Sequence, residues 1–216
     1  MYLKLNSTAG HTSHRDYHYR VDSCPPRRTL ALDHFDLLAP LYDRIIRPPE
    51  EFRLKEIANL PTKGRLLDAG GGTGRIAGRL LDQVDGIVIA DSSLKMLALA
   101  HDKGDFGTVG SHTEKLPFTD GSFARIIVVD AYHHLTDQGA SLTELWRVLA
   151  DGGRLVIEEP DIDRFAVKLI AIAEKMALMR SHFERADTIA EKLVDLGAEA
   201  TIERENHAVW IIADKA

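Results

Sequence analysis

One cysteine, Cys24, in 216 residues excludes an internal disulfide and makes a reducing cytoplasm the expected setting. No run approaches the roughly 18–20 uninterrupted apolar residues that would span a bilayer. The opening MYLKLNSTAG lacks the basic segment and apolar run of a secretory signal, so none is expected. A positive surplus is absent too: 33 acidic against 27 basic side chains leave −6, which argues against a general nucleic-acid binder. What the chain does have is a 44% apolar fraction, enough for one well-buried core at this length.

Charge is unevenly spread. Residues 1–28 hold Lys4, Arg15, Arg20, Arg27 and Arg28 against Asp16 and Asp22, a surplus of three, so residues 29–216 carry the remaining −9 of the total −6. That first stretch has few aliphatics after Leu5, and its Pro25-Pro26 pair forbids a helix there. It reads as an N-terminal arm, with a single domain over 29–216. His11, His14 and His18 near Cys24 have the composition of a transition-metal site, but no scaffold fixes them, and a polar arm is the plainer reading.

Regular patterning starts at Leu30. Leu32, Phe35, Leu38, Tyr42 and Ile45 recur at steps of three and four, an amphipathic helix interrupted by Pro40, and EEFRLKEIANL restarts a helix with acids in its first turn. After Gly64 the period changes. RLLDA, GIVIAD, FGTVGS, ARIIVVD and RLVIEE read as buried strands, and RIAGRLLDQV, SSLKMLALAHDKG and SLTELWRVLADGG as helices between them. The last of these helices is expected to stop at Gly152-Gly153. Two helical stretches at about 162–181 and 184–196 follow, closed by Gly197, and then EATIEREN and HAVWIIAD with a short polar connection. The alternation predicts an α/β fold: a doubly wound, Rossmann-like, seven-stranded sheet, mostly parallel, with an antiparallel C-terminal hairpin.

In such sheets ligands sit at the carboxyl ends of the strands. There the sequence places Asp68-Ala-Gly70-Gly71-Gly72-Thr-Gly74, whose glycines let the backbone bend sharply and approach a ligand closely. A glycine turn alone is weak, because dinucleotide enzymes have one as well. Here Asp68 precedes it by two residues; a carboxylate there repels a pyrophosphate and suits an ammonium group. Asp91 ends the second strand, where a carboxylate accepts hydrogen bonds from both hydroxyls of a ribose. The plainer role for Asp91 is a cap on the helix that follows, a task Ser92 or Ser93 also performs. Met96 on that helix is either core or a face against a base.

Taken together, LLDAGGGTGRIAGRL, IVIADSSLKMLALA, EKLPFTDGSFARIIVVDAYHHL and LTELWRVLADGGRLVIEE resemble the class I S-adenosylmethionine-dependent methyltransferases. The likeness covers about 64–160 and is nearest the branch that includes the menaquinone and ubiquinone C-methyltransferases; HFDLLAPLYDRI resembles the helix that precedes the core in that branch. The resemblance implies that Asp68, Gly70 and Gly72 hold the methionine end of S-adenosylmethionine and Asp91 its ribose. Ser92 and Met96 would border the adenosine, and Asp130 would lie beside the methyl donor. Tyr42 would contribute to a lid. His112, before Thr113, stands where the family usually has an acid for the adenine amino group, and Ala124 where it usually has Asp.

The expected reaction is an in-line displacement that moves a methyl group to a small acceptor and leaves S-adenosylhomocysteine. Positioning supplies most of what such a step needs, roughly 7–11 kcal/mol for well-oriented reactants. A base is required only where the acceptor loses a proton, and His133, then His134, are the candidates after Asp130. Packing is an equally good reading of His134. The stripe Phe165, Leu169, Ile172, Met176 and Met179 packs against the sheet or a second copy of the chain in a homo-oligomer; its other reading is the wall of a pocket for a hydrophobic acceptor. A quinone-type C-methyltransferase is one alternative, although Tyr132-His133-His134 stand where an Arg-Asn pair is usual. An NAD-dependent oxidoreductase and a non-catalytic S-adenosylmethionine-binding protein are the others.

Overall fold

The structure is a computed structural model that describes residues 51–161, 163 and 182–216. The expected arm, Tyr42, the 30–46 helix and the Phe165–Met179 stripe lie outside those residues. Strands β1 (Arg65–Ala69), β2 (Gly86–Asp91), β3 (Gly107–Gly110), β4 (Phe123–Val129), β5 (Leu149–Pro160), β6 (Glu199–Glu205) and β7 (Ala208–Asp214) form one sheet in the order β3-β2-β1-β4-β5-β7-β6. β1 to β5 pair in parallel, and β7 pairs antiparallel with both β5 and β6. The expected sheet, with its antiparallel end, is the observed one. Chain order reverses between β1 and β4, which puts the crevice for a ligand at their carboxyl ends.

Alternating strand residues feed two cores, one on each face. Leu67, Val88, Ile126, Val128, Leu155 and Ile157 point to the face covered by α3 (Gln138–Val148) and α4 (Ala186–Asp195). Leu66, Ile87, Ile89, Ile127 and Val156 point to the other, against α1 (Glu51–Ile57) and α2 (Leu94–His101). α2 starts where Ser93 Oγ accepts the Met96 N–H at 3.2 Å, and α3 where Asp137 accepts from Ala140 N at 2.9 Å.

Two expectations need correction. RIAGRLLDQV is not one α-helix: Ala77–Arg79 and Leu81–Gln83 are short 3₁₀ turns. Ile76, Ala77 and Leu80 are buried, and steps of three and four satisfy a tight turn as well as an α-helix; the exposed Gly78 weakens the latter. Nor do Gly152-Gly153 stop a helix. α3 ends at Val148 and the glycines lie inside the long β5, where Gly152 has φ +70° and the β4 pairing shifts register between Phe123 and Arg125.

Two arginines fasten α1 to the sheet. Arg154 on β5 donates to the Ile57 carbonyl at 2.9 Å while gripping Asp214 with two bonds of 2.7 Å. Arg125 on β4 donates to Ala58 O at 2.8 Å. Both complete carbonyls that the end of α1 leaves open. Arg154→Ala is expected to lower stability by about 1–3 kcal/mol, read as a shift in the urea midpoint.

Candidate functional site

β1 delivers Asp68 to the face shared with α1 and α2, and the chain then turns at Gly70, whose N–H bonds Ala90 O at 2.7 Å. Asp68 is 1% exposed and its Oδ2 has no hydrogen-bond partner. Its carboxyl lies directly over Gly71, so a Cβ at Gly71 would stand 2.5 Å from Asp68 Cγ. Burial pushes the Asp68 pKa up to about 7; the Arg75 charge opposes this and the Asp91 charge adds to it. Gly70 (φ +73°) admits no side chain either, since its Cβ would meet Ala131 Cβ at 2.8 Å. The turns after β1 and β4 therefore touch at the switch point.

Asp91 ties the same turn to β2. One carboxylate oxygen accepts Gly72 N at 3.0 Å and the other Ser93 N at 2.8 Å. A carboxylate is an acceptor only, which is the chemistry that a ligand's hydroxyls require. Ser93, not the exposed Ser92, caps α2, and Met96 is 3% exposed beneath it. Thr113 is buried, whereas His112 is exposed at the rim.

At the end of β4, Asp130 has φ +53°, a conformation that Asp and Asn tolerate best among side-chain-bearing residues, and its N–H bonds Glu158 O at 2.9 Å. Arg75 Nη2 lies 3.7 Å from Asp130 Oδ2. Glu159 then organises the next turn. Its Oε1 accepts Tyr132 N at 2.8 Å, and its Oε2 pairs with His133 Nδ1 at 2.6 Å. His133 is 2% exposed, stacked on Phe183 with centroids 4.4 Å apart and tilted on His134 at 3.9 Å. Burial, then the His133 charge, hold the His134 pKa down to about 3, so this imidazole is neutral across the ordinary pH range. Tyr132 Oη bonds Glu184, which Lys192 pairs at 2.5 Å, and burial raises the Tyr132 pKa far above its usual value.

The structure thus gathers Asp68, Gly70, Gly72, Asp91 and Asp130 around one turn, with His133 and His134 on the adjoining one. Sequence reasoning passed over Gly71, Arg75, Glu158, Glu159 and Phe183. The paired acids at the end of the apolar strand LVIEE were a readable signal, because a carboxylate closing a buried strand needs a partner.

A buried, unpartnered carboxyl oxygen under a glycine turn has the chemistry to receive an ammonium, and a carboxylate 19 residues downstream of Gly72 to receive hydroxyls. Residues 67–157 match the family model described as a methyltransferase domain. A ubiquinone/menaquinone biosynthesis C-methyltransferase of Geotalea daltonii is 34% identical over 152 residues, 62% of this chain and 64% of that one. Its counterpart in Vibrio cholerae is 35% identical over 105 residues, 44% of this chain and 40% of that one. The chain therefore spans between about two fifths and two thirds of the length of these curated relatives. A SAM-dependent methyltransferase of Thermotoga maritima shares the fold, with a TM-score of 0.70 at 20% identity over 84% of this chain and 98% of that one. Residues 67–157, which hold the glycine turn with Asp68 and Asp91, are thus similar to a methyltransferase domain, on a fold shared with the Thermotoga maritima SAM-dependent methyltransferase.

Proposed function

We propose that the protein transfers the methyl group of S-adenosylmethionine to a small-molecule acceptor. The observation that carries this reading is the orphaned Asp68 Oδ2, buried beside a turn in which Gly70 and Gly71 leave no room for side chains. The residues fit the cofactor. Asp68 pairs with its ammonium, Gly70 and Gly72 admit its methionine end to the backbone, and Asp91 accepts from its ribose hydroxyls. Met96, Ser92, His112 and Thr113 border its adenosine, with Tyr42 as a lid residue. The sulfonium supplies an activated methyl group with a neutral leaving group. The protein's own work is to hold the acceptor in line beside Asp130 and to exclude water.

Where the acceptor has a proton to lose, His133, oriented by Glu159, takes it; His134 is held too weakly basic for that task. Replacing both histidines by Ala then lowers turnover of such an acceptor by about 10²-fold or more; unchanged turnover removes them from the reaction. The names of the relatives favour a carbon acceptor of quinone type as a more specific reading. Against it, Tyr132-His133-His134 occupy the usual place of an Arg-Asn pair.

Isothermal calorimetry tests the whole assignment. S-adenosylhomocysteine is expected to bind and NADH not to bind, and Asp91→Ala is expected to weaken the former by about 10²-fold, two charge-assisted hydrogen bonds' worth. Binding of NADH alone would move the protein to another class. A screen with labelled methyl donor then identifies the acceptor.

A further inference from the structure

Among the described residues one side-chain hydroxyl is buried with no hydrogen-bond partner, Ser111 Oγ. Such a group gives up its bonds to water and gains none in return, so it weakens the chain that carries it. Ser111 is the first residue after β3, and its place in the sheet is fixed. Gly110 at the end of β3 pairs with Asp91 at the end of β2, and Ser111 N–H donates to Asp91 O at 3.0 Å. The turn that follows is tied to α3. Lys115 N–H bonds His112 O at 3.1 Å, and Glu144 on α3 accepts Leu116 N–H at 2.8 Å.

The sheet order sets which part of a ligand arrives there. β1, β2 and β3 lie side by side, with β3 at the edge. A nucleoside with its ammonium at Asp68 on β1 and its ribose at Asp91 on β2 extends its base toward β3, where Ser111 stands. Resting on the methyltransferase reading, we infer that Ser111 Oγ bonds the polar edge of that base, and that it makes the site tolerant of a purine whose amino group is replaced by an oxo group.

The tolerance follows from what a hydroxyl can do. A carboxylate only accepts: it would hold the amino group of adenine and repel the oxo oxygen of hypoxanthine. A hydroxyl turns to suit, accepting from the first or donating to the second. The acid nearest to Ser111 along the chain after β3, Glu114, is engaged elsewhere, since its Oε1 accepts Asp137 N–H at the start of α3 at 2.9 Å. His112 is exposed at the rim. A neutral hydrogen bond of this kind is worth about fivefold in affinity, for either base.

The test is calorimetry with S-adenosylhomocysteine and S-inosylhomocysteine, which differ only at that edge of the base. Both are titrated into the wild type and Ser111→Ala, and each ligand-free protein is melted in urea. The wild type is expected to bind the two ligands within about tenfold of each other. Ser111→Ala is expected to weaken each by about fivefold, while its urea midpoint stays level or rises, because the substitution removes an unsatisfied buried group. That pairing sets a ligand-directed hydroxyl apart from a structural one, whose loss lowers the midpoint and leaves affinity unchanged. The wild-type ratio needs no variant, so it decides the matter even if Ser111→Ala is insoluble. Discrimination beyond about tenfold, full affinity in Ser111→Ala or a lowered midpoint overturns the inference, and the methyltransferase reading stands as long as S-adenosylhomocysteine binds the wild type. Failure of S-adenosylhomocysteine to bind overturns both.

Discussion

Gly71→Ala is expected to lower affinity for S-adenosylhomocysteine by about 100-fold, the equivalent of roughly 2–3 kcal/mol, while Gly78→Ala seven residues on is tolerated. The two glycines differ in what a methyl group would meet. At Gly78 the nearest atom is Phe106 Cζ at 3.9 Å, an ordinary contact, and the position is exposed. At Gly71 all three atoms of the Asp68 carboxyl lie within 2.8 Å of where the methyl would stand. That carboxyl hangs from a strand residue by one methylene and is 1% exposed, so it has no room to swing aside. Accommodation requires a new Asp68 rotamer or a wider turn, and either withdraws the orphaned Oδ2 from the place where an ammonium arrives. Calorimetry measures the affinity, and a urea melt of each variant separates a local distortion from general destabilisation. Wild-type affinity in Gly71→Ala would mean that Asp68 does not hold the ligand as the resting structure positions it.

The same pair of residues shows where a sequence stops being readable. Three consecutive glycines after a buried acid announce a tight turn and a ligand, but only coordinates reveal that the middle glycine is emptied for the carboxyl rather than for the ligand. Strand identities were legible because β-branched runs such as Ile126–Val129 leave little choice, and the antiparallel end was legible from the short polar link between β6 and β7. The stretch 75–84 was not, since Ile76, Ala77 and Leu80 fit two helical periods equally. Likewise Gly152-Gly153 stand near a helix end by count, yet serve an irregular strand. The cap after Asp91 was legible as a task for a neighbouring serine: Ser93 performs it, while Asp91 accepts the N–H groups of Gly72 and Ser93. The glutamates of β5 escaped notice because their meaning depends on sheet parity. Glu159 turns to His133, and Glu158 turns to the cluster around Arg75. One strand thereby serves both sides of the crevice.

The second large effect concerns Asp68 itself, and its sign sets it apart from an ordinary core substitution. Burial raises the Asp68 pKa to about 7, well above its unfolded value of about 4. Its contribution to stability is therefore complete below pH 4 and is lost as pH rises through about 7, at roughly a kcal/mol per pH unit. Glu158, raised to about 8 for the same leading reason, extends the decline upward. The ligand-free wild type is thus expected to lose stability steadily between pH 5 and 8.5. Asp68→Asn replaces the titrating group by a neutral one of equal size, so the variant is expected to show a shallower decline and to match or exceed the wild type at pH 8. Its affinity for S-adenosylhomocysteine at that pH is expected to fall by about 100-fold, because an amide offers an ammonium no charge. Urea midpoints from pH 5 to 8.5, paired with calorimetry, measure both. A carboxylate kept for structure would give the reverse pattern, with Asp68→Asn less stable than the wild type at pH 8 and binding unharmed. A buried acid that costs stability when ionised, and whose Oδ2 no group within the described residues satisfies, has the chemistry to take a charge that a ligand brings.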